Sequence, residues 1–500
     1  MNFSYNKSKI FVYFLFFISC LPFFFIANNN WDGVIYDYAF SINDFSIIEF
    51  WYEISRINFQ LFLANGLYLI SNNLNLPHDL IFDIFTSIAF ILYVYEVNLF
   101  CKKTFNLDLE WQLILILFTI FIPLWHNATS INIGIYLFCF YLVFLSFRFI
   151  LNSKYLIKTI GVALLLCSFS IKSNVFLICG LTFVFYFKKF KKNKKIQINN
   201  IILIVFTSIL FVLVYLNFFK PYGIFENYNS VSIENLKTGK FLKNFQNFFS
   251  YIKIFFYILS LFIIYIIIFK KNEIKNLFMN ENFENLVLSF ILFLIAITPY
   301  ILVDKSTFYS SVIGFKGRHA LGIIVSLSLI FIFTIKTLND FIINKKIIFS
   351  LIFFLITYNL YFSIKGFYYK YESSIIKLQL VETFKNLEKP RSGLIYLKNS
   401  NYHINQIEIS HILFKAFNEA SWVGAGAADV ESLTKYDPMD LFEEDINMKK
   451  INIQTDVNET CETTYILKNN IKKNEKIKRI KNLFFQKEKY LVIDQTYLKC

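Results

Sequence analysis

Long apolar runs constrain this chain more than any other feature. The segment KIFFYILSLFIIYIIIF, residues 253–269, contains only one charged residue, and an α-helix needs about 20 predominantly apolar residues to cross a bilayer. Hydrophobic residues make up 56% of the 500-residue chain, and the mean hydropathy is +0.50. The sequence therefore predicts a polytopic, all-α membrane protein.

About eleven membrane helices are predicted from these runs, with the N-terminus in the cytoplasm. Lysine and arginine mark the cytoplasmic ends of the helices, most strongly in KKFKKNKK, residues 188–195. The first run has no small-residue cleavage site after it, so we expect a retained helix rather than a signal peptide. The predicted spans are 10–28, 78–100, 110–125, 131–151, 156–171, 174–187, 199–218, 251–269, 285–303, 320–338 and 346–363.

The alternation of sides places three loops and the C-terminal tail outside. The outer segments are 29–77, 219–250, 304–319 and the tail from about 364. The apolar segment Ile57–Ser71 is predicted to be an interfacial helix, because another span there would move Lys102 and Lys103 to the outside. The halves 156–171 and 174–187 stay separate, because merging them would conflict with the lysines that flank the pair.

Charge and cysteine content exclude some other classes. The net charge of +15 comes from lysines at the ends of apolar runs, which is the pattern of membrane anchoring, so no nucleic-acid partner is expected. The seven cysteines form no CxxC pair, and the P-loop, GxSxG, HExxH and Rossmann fingerprints are absent from the sequence. Soluble-nucleotide chemistry is therefore unsupported.

The tail, residues 364–500, has the mixed composition of a water-soluble domain. GLIYLKNS and KYLVIDQTYL have strand patterns, and ISHILFKAFNEAS has a helical pattern. About 135 residues suffice to bury a core, so we expect a small soluble α/β or α+β domain on the outer side. Cys461 and Cys500 are either a disulfide pair, if that compartment is oxidising, or two free thiols.

The first outer loop opens with NNNWDGVIYDYAF, residues 28–40, which places acids beside a membrane helix. Carboxylates in water need no explanation, but Asp32 lies just beyond the helix, between the interface anchor Trp31 and the turn-forming Gly33. A carboxylate at that depth suits a general base that takes the proton of an acceptor hydroxyl while a lipid-linked sugar phosphate leaves. Asp37 is a second candidate, which would position the acceptor or hold a divalent metal.

Cations gather in another outer loop, DKSTFYSSVIGFKGRHA, residues 304–320. The planar guanidinium of Arg318 can bind phosphate oxygens in pairs, helped by Lys305 or Lys316. The simpler alternative is contact with lipid headgroups at a helix end. His319 is either an acid–base group or an ordinary packing residue.

A further cation, Lys172, lies in SIKSN, residues 170–174, at the outer end of two short helices. In a functional interpretation it faces the same cavity as Arg318 and binds phosphate. In the simpler interpretation it is a lysine whose stem lies along the membrane interface. The turn Trp125–Asn127 is another short outer segment and a candidate for the lining of an acceptor pocket.

This layout resembles the GT-C superfamily of integral-membrane glycosyltransferases, which use polyprenyl-phosphate-linked sugars. The shared features are the first helix, the long outer loop opening with an acidic motif (WDGVIYD here), interfacial helices, about eleven spans and an outer C-terminal domain. The resemblance implies that Asp32, with Asp37 second, is a general base or metal ligand. Gly33 occupies the position where many members have a second acidic residue. The resemblance therefore leaves open whether the protein binds Mg²⁺ or Mn²⁺.

The resemblance also implies the partners: a polyprenyl-phosphate-linked sugar as donor, a cell-surface glycan or lipid as acceptor, and the bilayer. An O-antigen-type polymerase or ligase is an alternative that would rely on outer-loop arginines such as Arg318. A flippase or transporter would need charges inside the spans, such as Asp83 and Glu96, and internal pseudo-symmetry. The AT-biased composition suits a bacterial inner membrane.

Overall fold

A computed structural model of the chain describes residues 5–26, 32–41, 44–192, 196–218, 221, 240–269, 274–303, 305, 320–341, 345–386, 394–398, 406–417, 423–426, 462–469 and 491–499. The described part is mostly helical. It divides into two compact units. The first unit comprises Met1–Phe25 and Glu49–Tyr368, and the second comprises Ile26–Ile48 and Tyr369–Cys500.

Sixteen α-helices precede the first strand among the described residues, together with the short 3-10 helix Trp125–Thr129. They are α1 (Tyr5–Phe25), α2 (Asp32–Ser41), α3 (Ser46–Ser55), α4 (Asn58–Leu74), α5 (His78–Phe105), α6 (Leu109–Phe121), α7 (Ile133–Ile150), α8 (Tyr155–Ser168), α9 (Asn174–Lys191), α10 (Ile198–Phe218), α11 (Lys240–Phe249), α12 (Lys253–Phe269), α13 (Ile274–Met279), α14 (Glu281–Leu302), α15 (Ile324–Phe341) and α16 (Lys345–Lys385).

Side-chain caps fix where some of these helices begin. The Asp108 carboxylate accepts a hydrogen bond of 3.0 Å from the backbone N–H of Trp111 at the start of α6. The side-chain oxygen of Asn280 accepts from the N–H groups of Asn282, at 2.8 Å, and Phe283, at 3.0 Å, at the start of α14. Each cap satisfies donors that have no partner within the first turn.

Six helical segments are long and apolar enough to cross a membrane among the described residues, and a seventh results if one bent pair counts as a single span. The six are His78–Phe105, Ile133–Ile150, Ile198–Tyr215, Glu281–Leu302, Ala320–Phe341 and Lys345–Lys385. All six begin or end near predicted spans. The prediction of about eleven spans is not supported.

The lower count has a physical cause in helix length and helix breaks. Helix α6 has 13 residues and α8 has 14, which at 1.5 Å per residue gives roughly 20 Å, against about 30 Å of hydrocarbon. Helix α9 has three lysines in its last turn. The bent pair Phe241–Phe249 and Lys253–Ile268 turns by 73°. Hydropathy alone does not show these breaks.

Helix α15 lies in the hydrophobic core of the first unit. Nearly all of its side chains are buried. The ring of Phe331 stacks on Phe118 of α6, with centroids 3.9 Å apart, and the Ser328 hydroxyl lies 2.9 Å from that of Thr119. A helix buried on every side must be apolar all round, which explains the run LGIIVSLSLIFIFTI, residues 321–335.

The second unit contains a four-stranded mixed sheet. Its elements are β1 (Leu394–Lys398), α17 (Gln406–Phe417), β2 (Val423–Gly426), β3 (Glu462–Asn469) and β4 (Leu491–Lys499). The strand order is β2-β1-β3-β4. Strand β1 pairs in parallel with β2 and β3, whereas β3 and β4 are antiparallel with a bulge between Ile466 and Leu467. Helix α17 makes the crossover from β1 to β2, as a parallel pair requires.

The described residues test only part of the prediction for the C-terminal tail. The two strand predictions and the helix prediction are confirmed by β1, β4 and α17. A separate soluble α/β or α+β domain is not supported and stays a prediction. Helix α16 runs without a break through residue 364, where the tail was predicted to begin. Cys461 and Cys500 lie outside the described residues.

Candidate functional site

The turn between α8 and α9 is held in place by Asn174, which is fully buried. Its side-chain amide donates to the carbonyl oxygen of Ser168, at 2.8 Å, and to that of Cys139 on α7, at 3.4 Å. The backbone N–H of Ile171 also donates to Ser168 O, at 3.2 Å. These bonds fix the turn against α7 and so set the position of Lys172.

Lys172 is a half-buried cation whose described contacts are aromatic. Its ammonium group hydrogen bonds to the hydroxyl of Tyr215 on α10 and lies 4.3 Å from the centroid of that ring. Within the described part of the chain it has no carboxylate partner. Burial lowers the pKa of Lys172 to about 8, because a low-dielectric environment disfavours the charged form.

Hydroxyl and amide groups surround the same turn. The hydroxyls of Ser173 and Tyr300 lie 2.8 Å apart, and the Gln60 side-chain amide donates to Ser170 O at 3.3 Å. The thiol of Cys139 lies 3.2 Å from the Ser170 hydroxyl. A cation set among neutral donors is suited to binding an anion, since charge-assisted bonds to phosphate oxygens are the strong ones.

A second polar constellation lies within the second unit, where α2 meets α17. The carboxylate of Asp37 accepts a hydrogen bond of 2.7 Å from the Lys415 ammonium. The same oxygen lies 3.7 Å from Nε2 of His411, which is beyond hydrogen-bond distance. His411 and Lys415 are four residues apart on α17, so both face α2.

His411 is largely buried, and burial is the main cause of its shifted titration. It lowers the pKa of His411 to about 4, with Asp37 acting in the opposite direction and Lys415 and Lys377 adding to the decrease. The imidazole is therefore neutral at pH 7. The sequence did not predict that His411 and Lys415 lie next to Asp37. The available signal was a basic pair at i and i+4 on a helix with a largely apolar C-terminal half.

The predicted site residues are described to different extents. Asp32 is the first residue of α2, at the end of a helix that favours negative charge, but its side chain is outside the described part. Lys305 is half-buried, and its N–H donates to Tyr300 O at 2.8 Å. Lys316 and Arg318 lie outside the described residues, as does His319. Asp37 and Lys172 belong to different compact units.

The turn Trp125–Asn127 is packed rather than open. Trp125 is 2% exposed and donates from its indole nitrogen to Thr119 O at 2.8 Å. His126 and Asn127 are also buried, and Gly366 of α16 approaches His126 so closely that a Cβ there would lie 2.6 Å from Nδ1. These side chains support the core of the first unit.

Metal binding at Asp32 and Asp37 stays a prediction. The described residues contain no group of three or more His, Cys, Asp or Glu side chains arranged to hold an ion. Comparison with known proteins adds no further assignment: no family model, curated protein or solved structure matches this chain.

Proposed function

We propose that this protein is a membrane glycosyltransferase that moves a sugar from a polyprenyl-phosphate donor to a cell-surface glycan or lipid acceptor on the outer face. The observation that carries the proposal is Lys172, a half-buried ammonium with no described carboxylate partner. The acidic first loop and the resemblance to the GT-C layout support it.

In the proposed reaction the acceptor hydroxyl oxygen forms a bond to the anomeric carbon while the bond from that carbon to the phosphate oxygen breaks. The hydroxyl proton passes to a carboxylate acting as general base. We assign that role to Asp32, because Asp37 already accepts a hydrogen bond from Lys415 and is better suited to positioning. The lipid phosphate leaves with its charge stabilised by cations.

Lys172 is assigned to the donor phosphate, together with Arg318 and either Lys305 or Lys316 from the predicted outer loop. If a metal assists, Mg²⁺ or Mn²⁺ at Asp32 and Asp37 is the expected arrangement. The positive-inside pattern supports an N-terminus in the cytoplasm and a tail on the outer side of a bacterial inner membrane.

The two alternative functions, a polymerase or ligase and a flippase, would each require different charged residues. A polymerase or ligase would need Arg318 but no acid in the first loop. A flippase would use charges within the spans. Glu96, one of the two candidates for that role, pairs with Arg148 at 2.6 Å, which gives this acid a structural partner.

The first test is binding of a polyprenyl monophosphate to the purified full-length protein, measured by native mass spectrometry. We expect Lys172→Gln to weaken binding roughly tenfold to a hundredfold, as loss of a charged hydrogen bond does. Binding to the native protein should decline as the pH rises through about 8, because Lys172 then loses its proton. Lys172→Arg should keep binding at pH 9.

The matched control is Lys154→Gln, since Lys154 is an exposed lysine at the start of α8. Equal binding by Lys172→Gln and the native protein would contradict the phosphate-binding role. Sugar transfer with Asp32→Asn and Arg318→Ala then separates the functions. Loss of transfer in both variants supports the transferase, whereas loss in Arg318→Ala alone favours the polymerase.

A further inference from the structure

Three helix ends converge on one layer of aromatic rings. Phe100 of α5 and Phe147 of α7 have ring centroids 5.8 Å apart, and Phe147 and Phe185 of α9 are 5.4 Å apart. All three rings are buried. Within about one turn beyond this layer each helix carries a cation, and these are Lys103, Arg148 and Lys189. The aromatic layer therefore holds three positive charges near one another.

These cations are only partly compensated by described carboxylates. Arg148 pairs with Glu96 at 2.6 Å, although its side chain is 45% exposed. Lys189 lies 4.9 Å from the ring centroid of Phe185. Lys103 is exposed and follows Phe100 of the aromatic layer by three residues on α5. Three cations and one carboxylate leave two positive charges, and these attract an anion.

The adjacent lysine shows the contrast. Lys188 is buried and contacts Glu281 at 3.0 Å and Glu284 at 3.6 Å. Lys191 also pairs with Glu284. The chain thus neutralises some cations at the end of α9 with its own acids, yet leaves Lys103 and Lys189 without a carboxylate among the described residues. An external counter-anion would offset their mutual repulsion more strongly than solvent screening alone.

The cations lie at the end of a helix whose exposed face is apolar, which indicates that the anion carries an acyl chain. Phe183, Phe187 and Phe190 are 45%, 40% and 68% exposed on α9, and the first two rings lie 5.9 Å apart. We infer that Lys103, Arg148 and Lys189 bind the headgroup of an anionic phospholipid, whose acyl chains lie on the lipid-facing side of the helices. Basic pockets between membrane helices bind such headgroups. The inference does not depend on the proposed transferase activity.

The test measures thermal protection of the detergent-purified full chain by phosphatidylglycerol, with phosphatidylcholine as the neutral comparison. For the double variant Lys103→Gln/Lys189→Gln we expect half-maximal protection at a roughly 25-fold higher phosphatidylglycerol concentration, about fivefold for each lysine. The matched control is Lys275→Gln/Lys345→Gln, which removes two exposed lysines and should behave like the native protein.

Each outcome bears on the inference. Both substituted lysines have exposed or half-exposed side chains without ion pairs in the described part, so the double variant should fold, and its melting temperature without lipid checks this. Equal protection of the double variant and the control would overturn the inference. Protection by inorganic phosphate at the same concentration as phosphatidylglycerol would also overturn it, since the site would then bind free anions rather than lipid.

Discussion

Single residues in this protein act mainly through charge placed at the edge of apolar surroundings. Lys172 contacts a tyrosine rather than an acid, and Asp37 is held by a cation from a helix far along the chain. Desolvation sets the titration of Lys172 and His411 alike. For such groups, changes of pH test the structure more directly than truncation of the side chain does.

The acid sensitivity of the second unit should depend on His411. The folded pKa, about 4, is below the ordinary value of 6.5, so the unfolded chain binds more protons between these two values. Stability should therefore fall as the pH drops from 6.5 to 4, by at most about 3 kcal/mol. In His411→Phe this part of the pH dependence should largely disappear, as measured by thermal unfolding of the full chain.

A conservative check on this effect is Lys415→Met, which removes the cation beside Asp37 but keeps His411. Its stability should still decrease on acidification between pH 6.5 and 4. If His411→Phe loses stability over that pH interval as steeply as the native protein does, another group is responsible and the assignment to His411 is wrong.

At the scale of elements, close helix approaches matter more than helix propensity. Helix α16 passes the 3-10 helix Trp125–Thr129 at Gly366, and a Cβ at that position would lie 2.6 Å from Nδ1 and 2.8 Å from Cγ of His126. The imidazole is itself buried, so it has little room to move. This contact defines a position where only glycine fits.

Gly366→Ala should destabilise the protein by about 1–3 kcal/mol, as overpacking in a filled core does, and thermal unfolding in detergent measures this. Gly66→Ala on α4 is the matched control, because no atom lies within 4 Å of a Cβ there. That control should be neutral or stabilising by up to about 1 kcal/mol. Equal stability of the two variants would argue against the tight contact.

The sequence predicts elements better than it predicts their partners. The long apolar runs locate α5, α7 and α14, because length and composition suffice for a helix in lipid. The short strand β2, VGAG, escapes prediction, because glycine and alanine carry no strand pattern. The Asp37–Lys415 pair spans 378 residues, and no local pattern encodes a contact that depends on tertiary packing.

At the scale of the whole molecule, the predicted topology rests on the distribution of lysines. Helix ends that are rich in lysine and arginine tend to remain on the cytoplasmic side during insertion. This rule predicts that Lys154 and Asn58 face opposite sides of the membrane. Both positions are exposed. In a cysteine-free background, a membrane-impermeant maleimide should label Asn58→Cys in intact cells, and Lys154→Cys only after the membrane is opened.

Labelling of both positions in intact cells would show that the predicted alternation is wrong.

The number of spans is the aspect of the sequence-based topology that changed most. Hydropathy counted α6 and α8 as spans, although these helices are short, because a window average registers apolar residues and not the points at which a helix ends.

The burial of α15 has a consequence for how the chain is made. Ser326, Ser328, Thr334 and Thr337 on this helix are all at most 1% exposed, and two of them donate to carbonyl oxygens of the preceding turn. Because its surface is apolar all round, this segment is able to enter lipid before α6, α12 and α14 enclose it. The apolar surface of α15 is therefore compatible first with hydrocarbon and then with a protein interior. We expect α15 to leave the lipid only as the surrounding helices assemble.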